Sequence, residues 1–148
     1  MNVLDLVRAS AKDVGSGQRI ARRYLERVQL SAALANLSVN SSACPSDTVR
    51  FIHTISVSIN SGAAQTFNYF QALLQDVASA QLLSSINTQA TYRPVAAETL
   101  LFNIPGLEYV VMAGELVNVQ ANFTGGAAAN QVTADLIGWE FPRGNLQR

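Results

Sequence analysis

Hydrophobic and polar residues follow two different spacings along this chain. In the N-terminal part, apolar residues recur at steps of three and four, the spacing of one helix face. These residues are Val3, Leu6, Val7, Ala11 and Val14. The GSG segment at 15–17 interrupts the pattern, and a second short helix is predicted through Ile20, Tyr24 and Val28. Because residues 1–27 are too few to bury a core of their own, they are predicted to form an N-terminal helical arm.

From about residue 28 apolar and polar positions alternate, which is the period of a β-strand. The clearest case is TVRFIHTISVSI at 48–59, in which Arg50 and Thr54 are predicted to face away from the apolar side. That side is predicted to hold Val49, Phe51, His53, Ile55, Val57 and Ile59. The preceding VQLSAALANLSV also alternates, although its alanine-rich middle leaves a helix open.

The middle of the chain is compatible with two structures. TFNYF at 66–70 has the aromatic composition of a strand. The residues after it also fit a helix face through Phe70, Leu73 and Leu74. The pattern predicts a short strand that runs into a helical or irregular excursion.

Four apolar segments follow Pro94, and breaks typical of turns separate them. They are ETLLFNI, LEYVVMA, ELVNVQANF and NQVTADLIGWEF. Short strands at near-regular intervals predict a mainly β domain over 28–148, an antiparallel β-sandwich or jelly roll. The last segment is apolar on both sides, so it is predicted to be central or covered on both faces. Pro142 cannot donate to a strand ladder, so pairing is predicted to end there.

The charge composition favours a subunit that assembles. Only 14% of the residues are charged, against 49% hydrophobic, and ten basic residues balance ten acidic ones. Proteins with so little charge are poorly protected against self-association. Neutrality also argues against a general nucleic-acid binder, which needs a basic face. The local arginine cluster is interpreted as a solvated or partner-facing surface, and it contains Arg19, Arg22, Arg23 and Arg27.

The residues that could carry chemistry are isolated from one another. Cys44 is the single cysteine and His53 the single histidine. A metal site needs three or four ligands, and a nucleophilic cysteine needs a base and a lowered pKa. Cys44 is therefore interpreted as a structural thiol, and His53 as a buried or interface side chain bonded to backbone. The carboxylates are dispersed, and we predict neither catalysis, nor a metal, nor a cofactor.

The N-terminus lacks the apolar core of a signal peptide, since Asp5 interrupts it. No apolar run reaches the roughly 20 residues that span a bilayer. Synthesis in the cytoplasm, without membrane association, is therefore expected.

Two stretches resemble a group of small phage virion structural proteins, of the capsid decoration (cement) or head–tail accessory type. They are RFIHTISVSINSGAAQTF at 50–67 and GELVNVQANFTGGAAANQVTADLIGWEFPRGN at 114–145. The resemblance implies a β-sandwich that assembles in many copies on a virion, after synthesis in the host cytoplasm. Its partners would be major capsid subunits or neck and tail subunits. A symmetric homo-oligomer is expected, a trimer if the protein decorates three-fold positions.

Interface residues are expected at both ends of the domain. Trp139 and Phe141 are predicted to lie in the last strand, and Arg143 to reach across a subunit boundary after it. Arg19, Arg22 and Arg23 are further interface candidates. The alternative function is a carbohydrate-binding β-sandwich for host surface recognition. In that case the exposed platforms would be Tyr69, Tyr92, Tyr109 and Trp139.

Overall fold

The protein folds as two packed antiparallel sheets. Its structure is a computed structural model that describes residues 21–63, 66–76, 82–92, 99–125 and 129–143. Within these residues the chain forms eight strands. They are β1 (Arg22–Ala32), β2 (Asn36–Asn40), β3 (Thr48–Ser61), β4 (Phe67–Asp76), β5 (Leu82–Tyr92), β6 (Thr99–Val111), β7 (Glu115–Phe123) and β8 (Asn130–Pro142).

The order of the strands defines a jelly roll. Sheet A has the order β1-β8-β3-β6, and sheet B has the order β2-β7-β4-β5. The first strand pairs with the eighth, the second with the seventh, the third with the sixth and the fourth with the fifth, all antiparallel. This nested pairing is a long hairpin rolled into two sheets, which is the jelly-roll architecture. The predicted mainly β sandwich is confirmed.

The core lies between the sheets and is built by alternation along each strand. In β8, Val132, Ala134 and Leu136 are fully buried, while the residues between them are half-buried. Sheet B contributes Phe67 and Phe123, whose rings meet edge to face at 5.8 Å. Such aromatic pairs add to the free energy gained by burial.

A β-bulge in β3 changes the predicted faces of that strand. The pairing register with β6 and β8 shifts between Ile52 and Thr54. Ile52 and Ile55 therefore both belong to the core, whereas the buried Val49 and Phe51 lie outside the core cluster. The prediction that Val49 and Phe51 share a face with Ile55 was wrong, because one extra residue reverses the alternation.

Gly138 permits the close approach of β8 to this bulge. A Cβ atom at Gly138 would lie 1.8 Å from the carbonyl oxygen of Phe51, a backbone atom that cannot rotate away. The position therefore requires glycine for steric reasons.

Two predicted helical segments are strands. Tyr24 and Val28 lie in β1 and face the core. Residues four apart share a face in a helix and also in a strand, so their spacing did not distinguish the two. The expected excursion after Phe70 was also wrong, because β4 continues to Asp76. Leu73 and Leu74 lie on opposite faces of β4 and both are buried, which imitates a helical pattern.

The last strand is central, as expected. β8 lies between β1 and β3, and its pairing with β3 ends at Pro142. Residues 1–20, where most of the expected helical arm falls, lie outside the described residues, as does the end of the chain after Arg143.

Candidate interaction surfaces

One end of the sandwich holds a buried charged cluster. Arg50 donates from Nε to a carboxylate oxygen of Glu140 at 2.7 Å, and both side chains are 7% exposed. A second oxygen of Glu140 accepts from Nε of Arg22 at 2.6 Å, although Arg22 is 74% exposed. Arg50 also donates to the backbone oxygen of Ser42 at 2.7 Å. Its guanidinium carbon lies 4.5 Å from the ring centre of Tyr24, a cation–π contact.

These contacts keep both members of the buried pair charged. Burial alone would raise the pKa of Glu140, but hydrogen bonds from Arg50 and Arg22 outweigh it and lower that pKa. Burial would lower the pKa of Arg50, yet the bond to Glu140 and the proximity of Tyr24 leave it raised. Burial and the bond to Glu26 raise the pKa of Tyr24. The ion pairs of this cluster therefore connect β1, β3 and β8.

Cys44 lies beside this cluster and is protected. It is 3% exposed, and its sulfur donates to the backbone oxygen of Thr48 at 3.4 Å. Burial raises the pKa of the thiol, which disfavours the thiolate that a nucleophile needs. The geometry supports the structural interpretation of this cysteine.

His53 occupies the extra position of the β3 bulge. It is half-buried, and Nδ1 lies 2.8 Å from the hydroxyl of Thr54. The expected hydrogen bond to backbone is thus replaced by one to a side chain. Within the described residues, no three His, Cys, Asp or Glu side chains come close enough to share a metal ion. The same residues include no helix long and apolar enough to cross a bilayer.

An apolar surface, here called the outer stripe, crosses the outer face of sheet A at the end where β1 begins. One row pairs Leu25 with Ile137, and the next pairs Trp139 with Phe51 and Phe51 with Val110. The outer stripe consists of Leu25, Phe51, Val110, Ile137 and Trp139, of which Phe51 is buried and Ile137 and Trp139 are half-buried. Leu25 is 64% exposed and Val110 44% exposed. Side chains in adjacent rows are close enough to form a continuous apolar surface.

Most of the predicted interface residues meet at this end of the molecule. Arg23 is exposed and pairs across strands with Trp139, which is half-buried. Phe141 is 2% exposed, so it presents almost no surface of its own to a partner. Arg143 is exposed, and its guanidinium lies 3.5 Å from the backbone oxygen of Ser46 in the same chain. Its reach to a neighbour stays a prediction.

The two remaining arginines of the predicted interface do not belong to the outer stripe. Arg22 is committed to Glu140, and it lines a cleft of about 460 Å³ together with Phe141 and Pro142. Arg19 lies outside the described residues. The interface role of both stays a prediction.

The opposite end of the same face is a polar groove of about 560 Å³. Arg27 and Asp135 line it, and the Arg27 guanidinium donates two hydrogen bonds to the carboxylate of Asp135, at 2.7 and 2.9 Å. Ser56 donates to the side-chain oxygen of Asn103 at 3.1 Å. Leu101, at the groove edge, is 77% exposed. The Arg27–Asp135 bond raises the pKa of Arg27 and lowers that of Asp135, so this pair stays charged and internally neutralised.

The outer face of sheet B is built from uncharged amides and is called the amide face. Its rows follow the register of β2, β7 and β4. The side chains in these rows are Asn36, Asn122 and Tyr69, then Ser38, Gln120 and Gln71, then Asn40, Asn118 and Leu73. The sequence showed only one strand of it, as the polar side of ELVNVQANF. The pairing that assembles the rest could not be read from residue spacing.

Comparison with known proteins assigns no family. The sequence matches no protein-family model, and it matches no curated protein sequence. Eighteen chains of solved structures match the fold. A chain of infectious bursal disease virus, Gx strain, has 10% identity and a TM-score of 0.42, with 84% of this chain and 33% of that chain covered. The present chain thus spans about a third of the length of that viral chain.

Two other matches are no nearer. A chain from disulfide-linked pili of Bacillus endospore appendages has 10% identity and a TM-score of 0.31, covering 82% of this chain and 91% of that one. A chain of CBM4, a carbohydrate-binding module, has 12% identity and a TM-score of 0.34, covering 80% and 92%. At these levels of similarity none of the three assigns this chain a function.

Proposed function

We propose that this protein is a noncatalytic structural subunit of a phage virion. It assembles with copies of itself and with major capsid subunits, as a decoration or cement protein, or with neck or tail subunits. It is made in the host cytoplasm and functions in the virion. Jelly rolls occur in viral capsid and lectin domains, so the fold is compatible with this function without selecting it.

The outer stripe is the observation that carries the proposal. Leu25, Val110 and Trp139 form a largely apolar patch on a sheet face that sheet B does not cover. Exposed apolar patches of this kind mark interaction sites, and aromatic residues are enriched at the centres of interfaces. With only 14% charged residues, little charge opposes association.

The occupant of the stripe in this proposal is a second copy of the chain. β1 starts at Arg22, one residue from the row that contains Trp139, so the chain enters the domain beside the stripe. The preceding residues are predicted from their apolar spacing to form an amphipathic arm, and this prediction lies outside the described residues.

The test combines Leu25→Ser with Val110→Ser and measures molar mass by light scattering. Both side chains are substantially exposed, so the monomer should still fold. Each change removes about 1–2 kcal/mol of apolar burial per contact, which weakens assembly about tenfold per site. Leu34→Ser is the matched control, because Leu34 is 55% exposed but lies outside the stripe. Wild type and control should form oligomers, and the double variant should not.

A second measurement tests the virion itself. Antibodies against this chain should label purified particles in electron micrographs. Oligomers in solution without label on particles would refute the virion role and keep self-assembly. A wild type that stays monomeric, or a double variant that assembles like wild type, would refute the stripe as the interface.

The alternative, a carbohydrate-binding β-sandwich, loses one of its expected platforms. Tyr109 is buried, and its hydroxyl donates to the backbone oxygen of Ala72 at 3.0 Å. Trp139 and Tyr69 are both half-buried and lie on different sheets. Tyr69, Tyr109 and Trp139 therefore do not form one shared cleft, and the side chain of Tyr92 lies outside the described part of the structure.

A further inference from the structure

We propose that the amide face of sheet B binds an uncharged, extended glycan. This goes beyond the structural role, and it does not depend on it, because the outer stripe lies on the other sheet. The amide face lies across β2, β7 and β4. Its residue types differ from those usual on a solvent-facing sheet. Three features support a glycan: composition, preorganisation and an adjacent aromatic ring.

The composition of the face is unusual for exposed strands. The described side chains in its three rows include no charge, and the amides are Asn36, Asn40, Gln71, Asn118, Gln120 and Asn122. Asparagine is depleted in strands because its side chain competes for backbone hydrogen bonds. Solubility alone would favour charged residues here. A surface that concentrates neutral donors and acceptors matches a ligand that offers hydroxyl groups and no charge.

Hydrogen bonds between the side chains hold the face in place. Asn118 donates to Ser38 at 2.9 Å and to Asn40 at 2.5 Å. Gln120 donates to the side-chain oxygen of Asn118 at 2.8 Å. Asn118 is 5% exposed, so it serves as the buried anchor of the network. Polar groups fixed before binding lose less entropy when a ligand arrives.

A second branch of the network extends toward an aromatic side chain. Asn68 donates to Asn122 at 2.5 Å, and Asn122 donates to Asn36. Tyr69 pairs across strands with Asn122 and is half-buried on the same outer face. A tyrosine combines an apolar ring surface with a hydroxyl. It can therefore pack on the C–H face of a sugar while the neighbouring amides bond its hydroxyl groups.

A second protein copy fits this face less well than a glycan. Protein interfaces have apolar, aromatic cores and are depleted in serine, whereas the central row here is Ser38, Gln120 and Gln71. The rows are about 7 Å apart and the strands about 5 Å apart. A grid of this spacing suits a chain molecule lying across several strands better than a compact small molecule.

The experiment probes the full-length protein on a microarray of neutral and acidic glycans that includes bacterial surface polysaccharides. Isothermal titration then measures the affinity for the neutral glycan that binds best. Tyr69→Leu removes the ring and keeps apolar bulk, and Gln71→Ala removes one amide. Together they should weaken binding about tenfold, since a net hydrogen bond contributes about 0.5–1.5 kcal/mol. Gln29→Ala, an exposed glutamine on the outer face of sheet A, is the matched control.

Each outcome decides the proposal. Binding to neutral glycans that both amide-face changes weaken, and that Gln29→Ala leaves intact, supports it. Binding to no glycan on the array, or binding that all variants retain, overturns it. If the amide-face variants instead change the molar mass in solution, this face is a contact between copies of the chain, and the glycan proposal is overturned. Thermal melting of each variant separates loss of binding from loss of folding.

Discussion

Removing the charge of Glu140 should destabilise the fold far more than removing Arg22, the exposed one of its two arginine partners. Arg50 and Arg22 bond the same carboxylate at nearly the same distance, 2.7 and 2.6 Å. They differ in exposure, since Arg50 is 7% exposed and Arg22 is 74% exposed. Burial, rather than geometry, therefore separates the two interactions.

The magnitude follows from what each change leaves behind. Glu140→Gln keeps the shape but leaves the buried guanidinium of Arg50 without a counter-charge, which costs about 3–5 kcal/mol. The remaining contacts of Arg50 with Ser42 and the Tyr24 ring place the expected loss near the lower end. Arg22→Ala breaks an exposed pair, which contributes below about 1 kcal/mol.

Urea unfolding followed by circular dichroism measures both free energies, provided that the dependence on denaturant is unchanged. A third variant, Arg50→Met combined with Glu140→Leu, should recover most of the lost stability, because apolar replacements of buried pairs are often neutral. Equal losses for Glu140→Gln and Arg22→Ala would show that burial does not control the pair, and the reasoning would fail.

Three other predictions concern stability and reactivity. Gly138→Ala should lower the free energy of unfolding by about 3 kcal/mol or more, because the added methyl group overpacks the site. Gly114→Ala should lower it less, because the φ of 80° at Gly114 strains alanine but the methyl group has open space. Equal losses of unfolding free energy in urea would contradict this. The folded-state pKa of Glu140 lies below its ordinary value of 4.5, so the stability that its carboxylate contributes is present above that pH and lost as the pH falls below it. The melting temperature of the wild type should therefore fall more steeply in acid than that of Glu140→Gln. Parallel curves of melting temperature against pH would refute the assignment. Cys44 should react with a thiol reagent only at the rate of unfolding, because it is buried and its pKa is raised; rapid labelling of the native protein would contradict that.

Local alternation predicted the regular strands well. ELVNVQANF is β7, and the segment from Asn130 ends at Pro142, as its missing amide hydrogen requires. The sandwich class followed from many short strands of this kind. The nested pairing was not predictable, because it depends on contacts between residues distant in sequence.

The failures have local physical causes. The bulge at His53 is invisible in residue spacing, and it moved Arg50 from the expected solvent side into a buried ion pair. β4 buries side chains on both faces, so its pattern imitated a helix. Of the amide face, only Asn118, Gln120 and Asn122 were evident as one polar side of a strand. Tyr69 and the β2 amides joined them through register alone.

The fluorescence of Trp139 tests the central claim most directly, because it is the only tryptophan in the chain and lies in the outer stripe. Its emission maximum should be recorded over a concentration series, with molar mass measured on the same samples. A shift to shorter wavelength that follows assembly is expected, as the half-buried indole becomes fully buried against a second copy. Assembly without any change in emission would contradict it, as would a protein that remains monomeric at every concentration.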